Sequence, residues 1–342
     1  MRPLRGSRWL PLALLMSCLV QAHAASAEGP VPVLEGRAWL ARIRAAADSG
    51  NYRGTMVFSA GGAITASRVS HYVVGEQTYE ELESLDGRQQ NIVRHNDDVQ
   101  TLWPQRHVAV IEKRETLSAW STTPQEVDPR ALDQYLLLRE GSGRVAGREA
   151  TVFLLEPHDA LRYAQRLWAD RATGLVLRAD VMGMALRAGG PRPILESTAF
   201  SEVSVGVRAQ PESVTRAMRN LDKSSNYKIM RPTQQRTTLA SEGWTLAAPV
   251  AGFALAGCVR RGMETAGDDE PVLQAVFTDG LTHVSVFIEN FKPDRHSGEM
   301  AAQRGATATL MTRRGDYWVT AVGDVPTATL QLFSVALQRQ RR

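Results

Sequence analysis

Between residues 52 and 205, short runs of alternating apolar and polar residues follow each other with hairpin-sized gaps. In the first run, Tyr52, Met56 and Phe58 would share one face of a strand, and Arg53 would lie on the other. Gly-Gly, Asp-Gly and Thr-Gly pairs, which favour tight turns, separate many of the runs. Parallel strands need crossovers of about a dozen residues or more, so these short gaps predict an antiparallel sheet.

Several of these predicted strands are apolar on both faces, as in residues 108–111 (VAVI) and 152–155 (VFLL). A sheet with one face in water does not need a second apolar face, whereas a sheet that curls around a ligand or is covered by helices does. A helix is predicted just before the sheet, over residues 36–49, where Trp39 and Ile43 recur at helical spacing. The pattern therefore predicts a curved or covered sheet.

The character of the chain changes after residue 205. Residues 206–232 are polar and show no sustained strand pattern, so we expect a connecting segment with a short helix over 212–221. Further strand patterns follow between residues 253 and 323, and a closing helix is predicted at about 327–339. The predicted fold class is α+β, mostly β, in two domains. The predicted division is a signal peptide at 1–27, a first domain at 28–205, the connector at 206–232 and a second domain at 233–342.

The first 27 residues have the three parts of an export signal. Residues 1–8 carry three arginines and no acid, and the apolar run that follows at residues 9–20 is too short to span a bilayer. Small residues then offer cleavage after Ala24 or Ala27, and we expect the later site. The mature chain should therefore function outside the cytoplasm. Residues 15–18 weakly resemble a lipoprotein acylation box, so acylation of Cys18 stays an alternative.

Charge divides the two predicted domains. Residues 28–205 carry 20 basic and 23 acidic side chains, a net charge of −3, whereas residues 206–342 carry 17 basic and 13 acidic side chains, a net charge of +4. Without the signal peptide the whole chain is nearly neutral, which removes the main support for nucleic-acid binding. The positive charge includes two arginine pairs, Arg260-Arg261 and Arg313-Arg314. Both a solvated basic face and a docking site for an acidic partner or a phosphate-bearing lipid fit this pattern.

No catalytic motif fits its sequence context. Residues 141–146 match G-x-G-x-x-A, but a strand follows them instead of preceding them, so a hairpin turn is expected there. Residues 225–228 match S-x-x-K without its companion motifs. Because H-E-x-x-H and C-x-x-C are also absent, we expect no metal site, no cofactor and no enzymatic activity. Cys258 is expected to be a buried thiol, with a reactive thiol as the alternative.

Two sets of residues form patterns that are familiar in combination. In the first domain they are Trp168-Ala-Asp170 and Leu175-Val-Leu-Arg178-Ala-Asp180, and in the second they are Phe277-Thr-Asp-Gly-Leu281 and Val284-Ser-Val286. The former resembles a W-x-D-x4-L-x2-R-x-D hairpin, and the latter an aromatic-S-D-G-L-x-x-x-S-V strand pair. Both belong to the MucB/RseB family of periplasmic sigma-E regulatory proteins, and the resemblance spans nearly the whole mature chain in order.

The resemblance implies an architecture and a role. The first domain would be an unclosed antiparallel β-barrel with plugging helices, similar to the outer-membrane lipoprotein carriers, followed by a smaller sheet-plus-helix domain. The second domain would bind the periplasmic segment of a membrane-bound anti-sigma factor and shield it from regulated proteolysis. The protein would thereby act in the periplasm as a negative regulator of the envelope-stress sigma factor. Lipopolysaccharide or lipid acyl chains would relieve the inhibition.

Strand alternation and charge locate residues for these two roles. For lipid binding the sequence favours Met56, Phe58, Leu82 and Trp103. Trp103 fits the core as well as it fits a ligand pocket. For partner binding the sequence favours Arg260, Arg261, Asp279, Gly280, Arg313 and Arg314. A periplasmic lipid or lipoprotein shuttle without a regulatory partner, a hydrolase with a triad assembled from distant residues, and self-association into a homo-oligomer stay open.

We expect the mature protein to begin near Glu28 and to occur in the periplasm, because the signal ends in small residues that suit cleavage. Intact mass spectrometry of the protein from a periplasmic extract tests this. A mass that includes residues 1–27, or one that corresponds to a diacylated Cys18, would contradict a soluble mature protein.

Overall fold

The fold is known from a computed structural model of the chain, which describes residues 29–113, 128–185, 187, 190–222, 226–262 and 270–340. The predicted signal peptide, Ser225 of the S-x-x-K match and the last two arginines lie outside these ranges. Within the described ranges the strands form two large sheets and one short ribbon.

The first sheet is built from strands that follow each other closely in the chain. They are β1 (Gly29–Pro30), β2 (Tyr52–Ala60), β3 (Ala63–Val74), β4 (Gln77–Ser84), β5 (Asn91–His95), β6 (Asp98–Trp103), β7 (Val108–Lys113), β8 (Tyr135–Val145), β9 (Arg148–Pro157), β10 (Ala164–Asp170), β11 (Val176–Met182), β12 (Ile194–Val205) and β13 (Lys228–Met230). Their order in the sheet is β1-β8-β9-β10-β11-β12-β2-β3-β4-β5-β6-β7-β13. Two meanders, β2–β7 and β8–β12, are thus joined by the pairing of β12 with β2, and the sheet stays unclosed.

The remaining strands lie in the C-terminal part of the chain. They are β14 (Gln234–Arg236), β15 (Trp244–Leu246), β16 (Ala254–Arg261), β17 (Val272–Thr278), β18 (His283–Asn290), β19 (Met300–Arg304), β20 (Thr307–Arg314), β21 (Tyr317–Gly323) and β22 (Leu337–Arg339). The second sheet has the order β14-β16-β17-β18-β21-β20-β19, and β15 pairs with β22 as a separate ribbon. The described pairings of this second sheet are all antiparallel.

In the described part of the chain, three helices accompany the sheets: α1 (Val33–Ser49), α2 (Pro211–Asp222) and α3 (Thr327–Ala336). Short 3-10 turns occupy Pro104–Arg106 and Pro129–Asp133. Helix α1 ends at Gly50, where an added Cβ would lie 2.4 Å from the Ala46 carbonyl oxygen. None of the described helices combines the length and the apolar character needed to cross a bilayer.

Helix α1 covers one end of the first sheet. Leu40 and Ile43 are buried against Phe153 and Leu167, and Trp39 packs on the Phe153 ring at a centroid distance of 4.9 Å. The sheet is strongly curved, because β8 and β12 contact each other although three strands separate them. The apolar residues on both faces of these strands are therefore explained by a curved sheet that a helix covers, as the sequence predicted.

A second core lies between the second sheet and α3. Leu330 and Phe333 of α3 are buried against residues of β17 and β18, and Phe333 contacts the rings of Phe253 and Phe277 at centroid distances of 5.5 and 4.9 Å. Cys258 belongs to this core, and burial raises the pKa of its thiol to about 11. The thiol is therefore protonated at neutral pH, which agrees with the expectation of a buried structural cysteine.

The predicted fold class is confirmed: the protein is mostly β, with an unclosed first sheet and a smaller sheet-plus-helix unit. The predicted helices over 36–49 and 212–221 are present as α1 and α2. Three predictions differ in detail from the structure. Residues 141–145 belong to β8, and the turn falls at Ala146–Gly147, because a bulge near Gly141 lets the strand continue through a glycine-rich segment.

The closing helix is also shorter than predicted. It ends at Ala336, and the next three residues leave the helix to pair with β15. Hydrophobic periodicity alone could not show where the helix ends, because Leu337 would be buried whether the helix continued or a strand began there. The predicted connector likewise contains β13, which extends the first sheet by pairing in parallel with β7.

We expect Leu40→Ala to lower the free energy of unfolding by about 2–5 kcal/mol, because Leu40 is fully buried between α1 and the sheet. Leu34→Ala on the same helix is the matched control, since Leu34 is 85% exposed and its removal should change stability by less than about 0.5 kcal/mol. Urea denaturation of both variants measures the difference. Equal effects would contradict the packing of α1 on the sheet.

Candidate functional site

The residues favoured for lipid binding share one face of the first sheet. Strand pairing places Phe58 in a cross-strand row with Thr198, Ala179, Leu167 and Phe153. Directly paired residues of antiparallel strands point to the same face. Because Phe153 and Leu167 contact α1, we name this side of the first sheet the helix face.

The same register connects the other three residues. Met56 and Phe58 are two residues apart on β2 and therefore share the helix face. Val69 of β3 pairs with Leu82, Leu82 with Ile92, and Ile92 with Thr101 of β6, which places these residues on the same face. Trp103 lies two residues beyond Thr101 and is therefore also on the helix face. Met56 is buried in a cluster with Tyr52, Val69 and Phe200, and Leu82 packs against that cluster. Phe58 and Trp103 are half-buried. The structure thus places all four residues on one face, two in its packed part and two in its more open part.

The more open part of the helix face is also apolar. Trp103 pairs with Val108, and Val110 lies on the same face two residues further along β7. Ile92, Val108 and Val110 are half-buried like Phe58. Half-buried apolar side chains leave apolar surface in contact with water, and an aliphatic ligand that covers this surface would be favoured by the hydrophobic effect.

The residues favoured for partner binding do not form one cluster. Arg260 forms an ion pair with Glu242 within the second sheet unit, and Arg261 forms one with Glu112 of β7. Arg313 and Arg314 end β20, and their guanidinium groups donate to the Gly315 carbonyl and the Ser334 hydroxyl.

Asp279 lies at the junction of the two sheets. Arg162, between β9 and β10, is fully buried, and its Nε donates to Asp279 Oδ2 over 2.8 Å. Its Nη2 donates to the Ala251 carbonyl over 2.8 Å, and its guanidinium lies 5.0 Å from the centroid of the Phe253 ring. The Tyr135 hydroxyl donates to the same Asp279 oxygen over 3.0 Å. Residues from both sheets therefore converge on one buried ion pair.

Three further features keep this ion pair fully satisfied. Burial and the Asp279 carboxylate raise the pKa of Tyr135 well above its ordinary value, so its hydroxyl stays a donor. The other Asp279 oxygen accepts hydrogen bonds from the backbone N–H groups of Leu281 and Thr282. Asp159 provides Arg162 with a second carboxylate.

This arrangement changes the role that the sequence favoured for Asp279 and Gly280. The Asp279 carboxylate is fully buried and saturated by contacts within the chain, so in this conformation it cannot touch a partner. The Gly280 carbonyl accepts from the Asp128 N–H, and an added Cβ would lie 2.9 Å from the Ala131 nitrogen. Both residues instead join the two sheets.

Apolar side chains cross the junction in both directions. Leu281 of the second sheet unit packs into the core beneath α1, and Leu161 of the first packs into the core beneath α3. The Thr329 hydroxyl of α3 also donates to the Leu161 carbonyl over 2.7 Å. Each unit thus completes the core of the other.

A second polar contact joins the sheets at the β19–β20 turn. Glu196 of β12 accepts a hydrogen bond from the Ala306 N–H over 3.0 Å, and the Thr307 hydroxyl donates to Asp324 over 2.6 Å. Burial and the nearby Asp324 carboxylate raise the pKa of Glu196.

Sequence reasoning missed the residues that build the junction. Arg162 and Tyr135 belong to no motif, and their partner Asp279 is more than a hundred residues away along the chain. A buried arginine carries no local signal, since arginine is usually exposed. Within the described ranges no group of three or more His, Cys, Asp or Glu side chains is arranged to hold a metal ion.

The fold defines a class: β proteins with two sheets, in which a helix covers an apolar face of the first sheet and a second helix packs on the smaller second sheet. Comparison with protein families gives this class a name. The model of the MucB/RseB N-terminal domain matches residues 35–218, and that of the MucB/RseB C-terminal domain matches residues 238–338. The chain belongs to the MucB/RseB family, which confirms the resemblance seen in the sequence.

Individual relatives agree with this assignment. The chain is 27% identical to the sigma factor AlgU regulatory protein MucB of Pseudomonas aeruginosa, over 97% of this chain and 98% of that protein. It is 24% identical to the sigma-E factor regulatory protein RseB of Haemophilus influenzae, over 94% and 93%. Its fold is similar to that of MucB in the Pseudomonas aeruginosa MucA/MucB complex, with a TM-score of 0.66 and 24% identity, covering 90% of this chain and 100% of that one.

We expect Asp279→Asn to destabilise the protein, because it weakens the charge compensation of a buried arginine. Loss of one partner of a buried ion pair costs about 3–5 kcal/mol, and since Asp159 remains beside Arg162 we expect the lower end of that range. Asp133→Asn is the control, because its ion pair with Arg37 is exposed and should contribute less than about 1 kcal/mol. Denaturant unfolding compares the two. Equally small effects would contradict the proposed importance of the junction.

Proposed function

We propose that this protein is a periplasmic negative regulator of an envelope-stress sigma factor, which binds the periplasmic segment of a membrane-bound anti-sigma factor. The observation that carries the proposal is that both family domains match in order. In addition, the chain is similar to sigma factor regulatory proteins over nearly the whole length of both sequences. A similar fold occurs in MucB in complex with MucA(peri). The role is one of binding and not of catalysis.

Binding to the segment would shield it from regulated proteolysis. A protease must gain access to its substrate chain, and a segment that is held on a folded surface has to be released first. The net charge of +4 on residues 206–342 favours an acidic partner segment, and electrostatic attraction raises the rate of association more than it raises the lifetime of the complex.

Lipopolysaccharide or lipid acyl chains would relieve the inhibition through the helix face. Burial of each methylene contributes about 0.8 kcal/mol, so roughly six methylenes would supply about 5 kcal/mol before the entropic cost of association. Lipid bound to the first sheet can weaken a partner bound to the second only if each ligand favours a different arrangement of the protein, and the coupling is then reciprocal. The interlocked junction is the physical connection between the two.

The decisive experiment is titration calorimetry of the full chain with the periplasmic segment of the anti-sigma factor from the same organism, with and without lipopolysaccharide. We expect binding that lipopolysaccharide weakens. The full chain is required, because Leu161 and Leu281 each complete the core of the other unit. Lipid binding without any binding of the segment would overturn the proposal and favour a lipid or lipoprotein shuttle.

We expect Arg313→Glu combined with Arg314→Glu to slow association with the segment more than it speeds release, because rim charges mainly affect the encounter rate. Surface plasmon resonance at low and high salt separates the two rates. The control is Arg53→Glu combined with Arg88→Glu, two exposed arginines of the first sheet unit. The assignment of the partner to the second domain is wrong if both double variants slow association equally.

We expect Phe58→Asp to weaken the binding of lipopolysaccharide at least tenfold, because a carboxylate on the helix face opposes the burial of acyl chains. Val57→Asp is the matched control, since Val57 is also half-buried but lies on the opposite face of the same strand. Fluorescence titration measures the affinities, and circular dichroism verifies folding. Unchanged affinity in folded Phe58→Asp would count against this face, though not against regulation by the partner.

A further inference from the structure

The second sheet ends in an open edge. Strand β19 is its outermost strand, pairs with β20 alone among the described strands, and has all five residues exposed. The two-residue turn Gly305–Ala306 makes Arg304 and Thr307 a hydrogen-bonded pair. Hydrogen-bonded and non-hydrogen-bonded pairs alternate along an antiparallel ladder, so Gln303 and Ala301 belong to non-hydrogen-bonded pairs. The backbone N–H and C=O groups of Ala301 and Gln303 therefore point outward, where another strand could bind them.

This edge lacks the features that normally prevent pairing. Natural edge strands are usually blocked by a proline, a charged side chain in mid-strand or a bulge. Residues 300–303 (MAAQ) contain neither a proline nor a charge, and the pairing of β19 with β20 has no register shift. An edge with these properties is suited to accept a strand.

A groove of about 340 Å³ runs beside the edge, on the side that faces α3. Ala301 pairs with Leu310 on this side, and its small side chain leaves room next to Val335 of α3. Val335 is 66% exposed and Met300 is 49% exposed, so the groove offers apolar surface to an added side chain. Alternate residues of a strand placed along β19 would point into this groove.

The charges around the edge are positive and are not neutralised by acids, although Arg313 stacks on the Phe291 ring and Arg314 donates to the Ser334 hydroxyl. Within the described ranges, no carboxylate lies at ion-pair distance from the guanidinium groups of Arg304, Arg313 or Arg314. Glu299 is close, but its carboxylate accepts from the backbone N–H of Arg313. By contrast, Arg260 of β16 is paired with an acid. An acidic ligand would therefore complement this edge.

We propose that β19 is the docking edge for an extended, acidic segment of the partner polypeptide, which adds to the second sheet as a further strand. Main-chain hydrogen bonds to Ala301 and Gln303 would supply affinity. An apolar side chain in the groove beside α3 and acidic side chains against Arg313 and Arg314 would supply specificity. This inference rests on the proposed function, since the segment is taken to belong to the anti-sigma factor.

Ala301→Pro in the full chain tests the proposal. Proline removes the outward N–H at a position where edge strands tolerate it, and leaves the ladder with β20 intact. We expect the affinity for the anti-sigma periplasmic segment to fall at least tenfold. Ala301→Ser is the matched control, because it keeps the N–H and a small side chain, and it should bind like the unchanged protein. Circular dichroism and thermal unfolding verify that both variants are folded.

Hydrogen exchange provides a measurement that needs no variant. In the complex of the unchanged protein, the amides of Ala301 and Gln303 should gain protection at least tenfold, whereas exposed amides of the β3–β4 turn should not. Absence of this protection, or full affinity in folded Ala301→Pro, would overturn the docking edge while the proposed function stands. If the unchanged protein does not bind the segment at all, the proposed function itself fails.

Light scattering tests the alternative that a second copy of this chain, and not the partner segment, pairs with β19. If the unchanged protein is a dimer that Ala301→Pro converts to a monomer, and the segment binds both equally, the edge pairs with a second copy of this chain and the proposal is wrong.

Discussion

The ion pair between Arg162 and Asp279 determines how the two halves of this protein are arranged. A buried guanidinium is strongly disfavoured unless its charge and its donors are matched, so the position of Arg162 is acceptable only while Asp279, Asp159 and the Ala251 carbonyl surround it. Asp159 is a near neighbour of Arg162 in the chain, whereas Asp279 and the Ala251 carbonyl belong to the second sheet unit, so one arrangement of the sheets brings all of them together. The apolar exchange of Leu161 and Leu281 then adds burial to that arrangement.

This junction relates the two proposed binding surfaces to each other. The helix face with Phe58 and Trp103 belongs to the first sheet, and the β19 edge, next to Arg313 and Arg314 of β20, belongs to the second. The chain also crosses directly from β13 at the end of the first sheet to β14 at the end of the second, and Arg261 pairs with Glu112 beside this crossing. A ligand that alters the packing of the first sheet therefore acts on elements that are attached to the second at several points. Such attachment is what coupling between a lipid and a protein partner requires.

Much of the fold could be predicted from local patterns, because alternation and turn residues act over short distances. Phe58 and Met56 follow the period of a strand, and their common face with Leu82 and Trp103 was therefore accessible from the sequence. Strand β8 was missed because Gly141 and Gly143 interrupt the pattern, and the bulge that accommodates Gly141 depends on pairing with β9. The end of α3 depends in the same way on the pairing of Leu337 with Leu246.

The junction could not be predicted, because it depends on contacts between residues that are distant in the chain. Arg162 and Asp279 look like ordinary surface residues in the sequence, and only the packed sheets remove both from water. The arginine pairs illustrate the same limit, since Arg260 and Arg261 are neighbours in sequence but pair with acids in different sheet units. Charge clustering in a sequence thus located the basic domain but not the residues that are free to bind.

Differential scanning calorimetry of the mature protein tests most directly whether the junction makes the two domains unfold as one cooperative unit. If the junction holds as described, the protein unfolds in a single transition whose calorimetric and van't Hoff enthalpies agree. Two resolved transitions, with the enthalpies of two separate domains, would contradict the account.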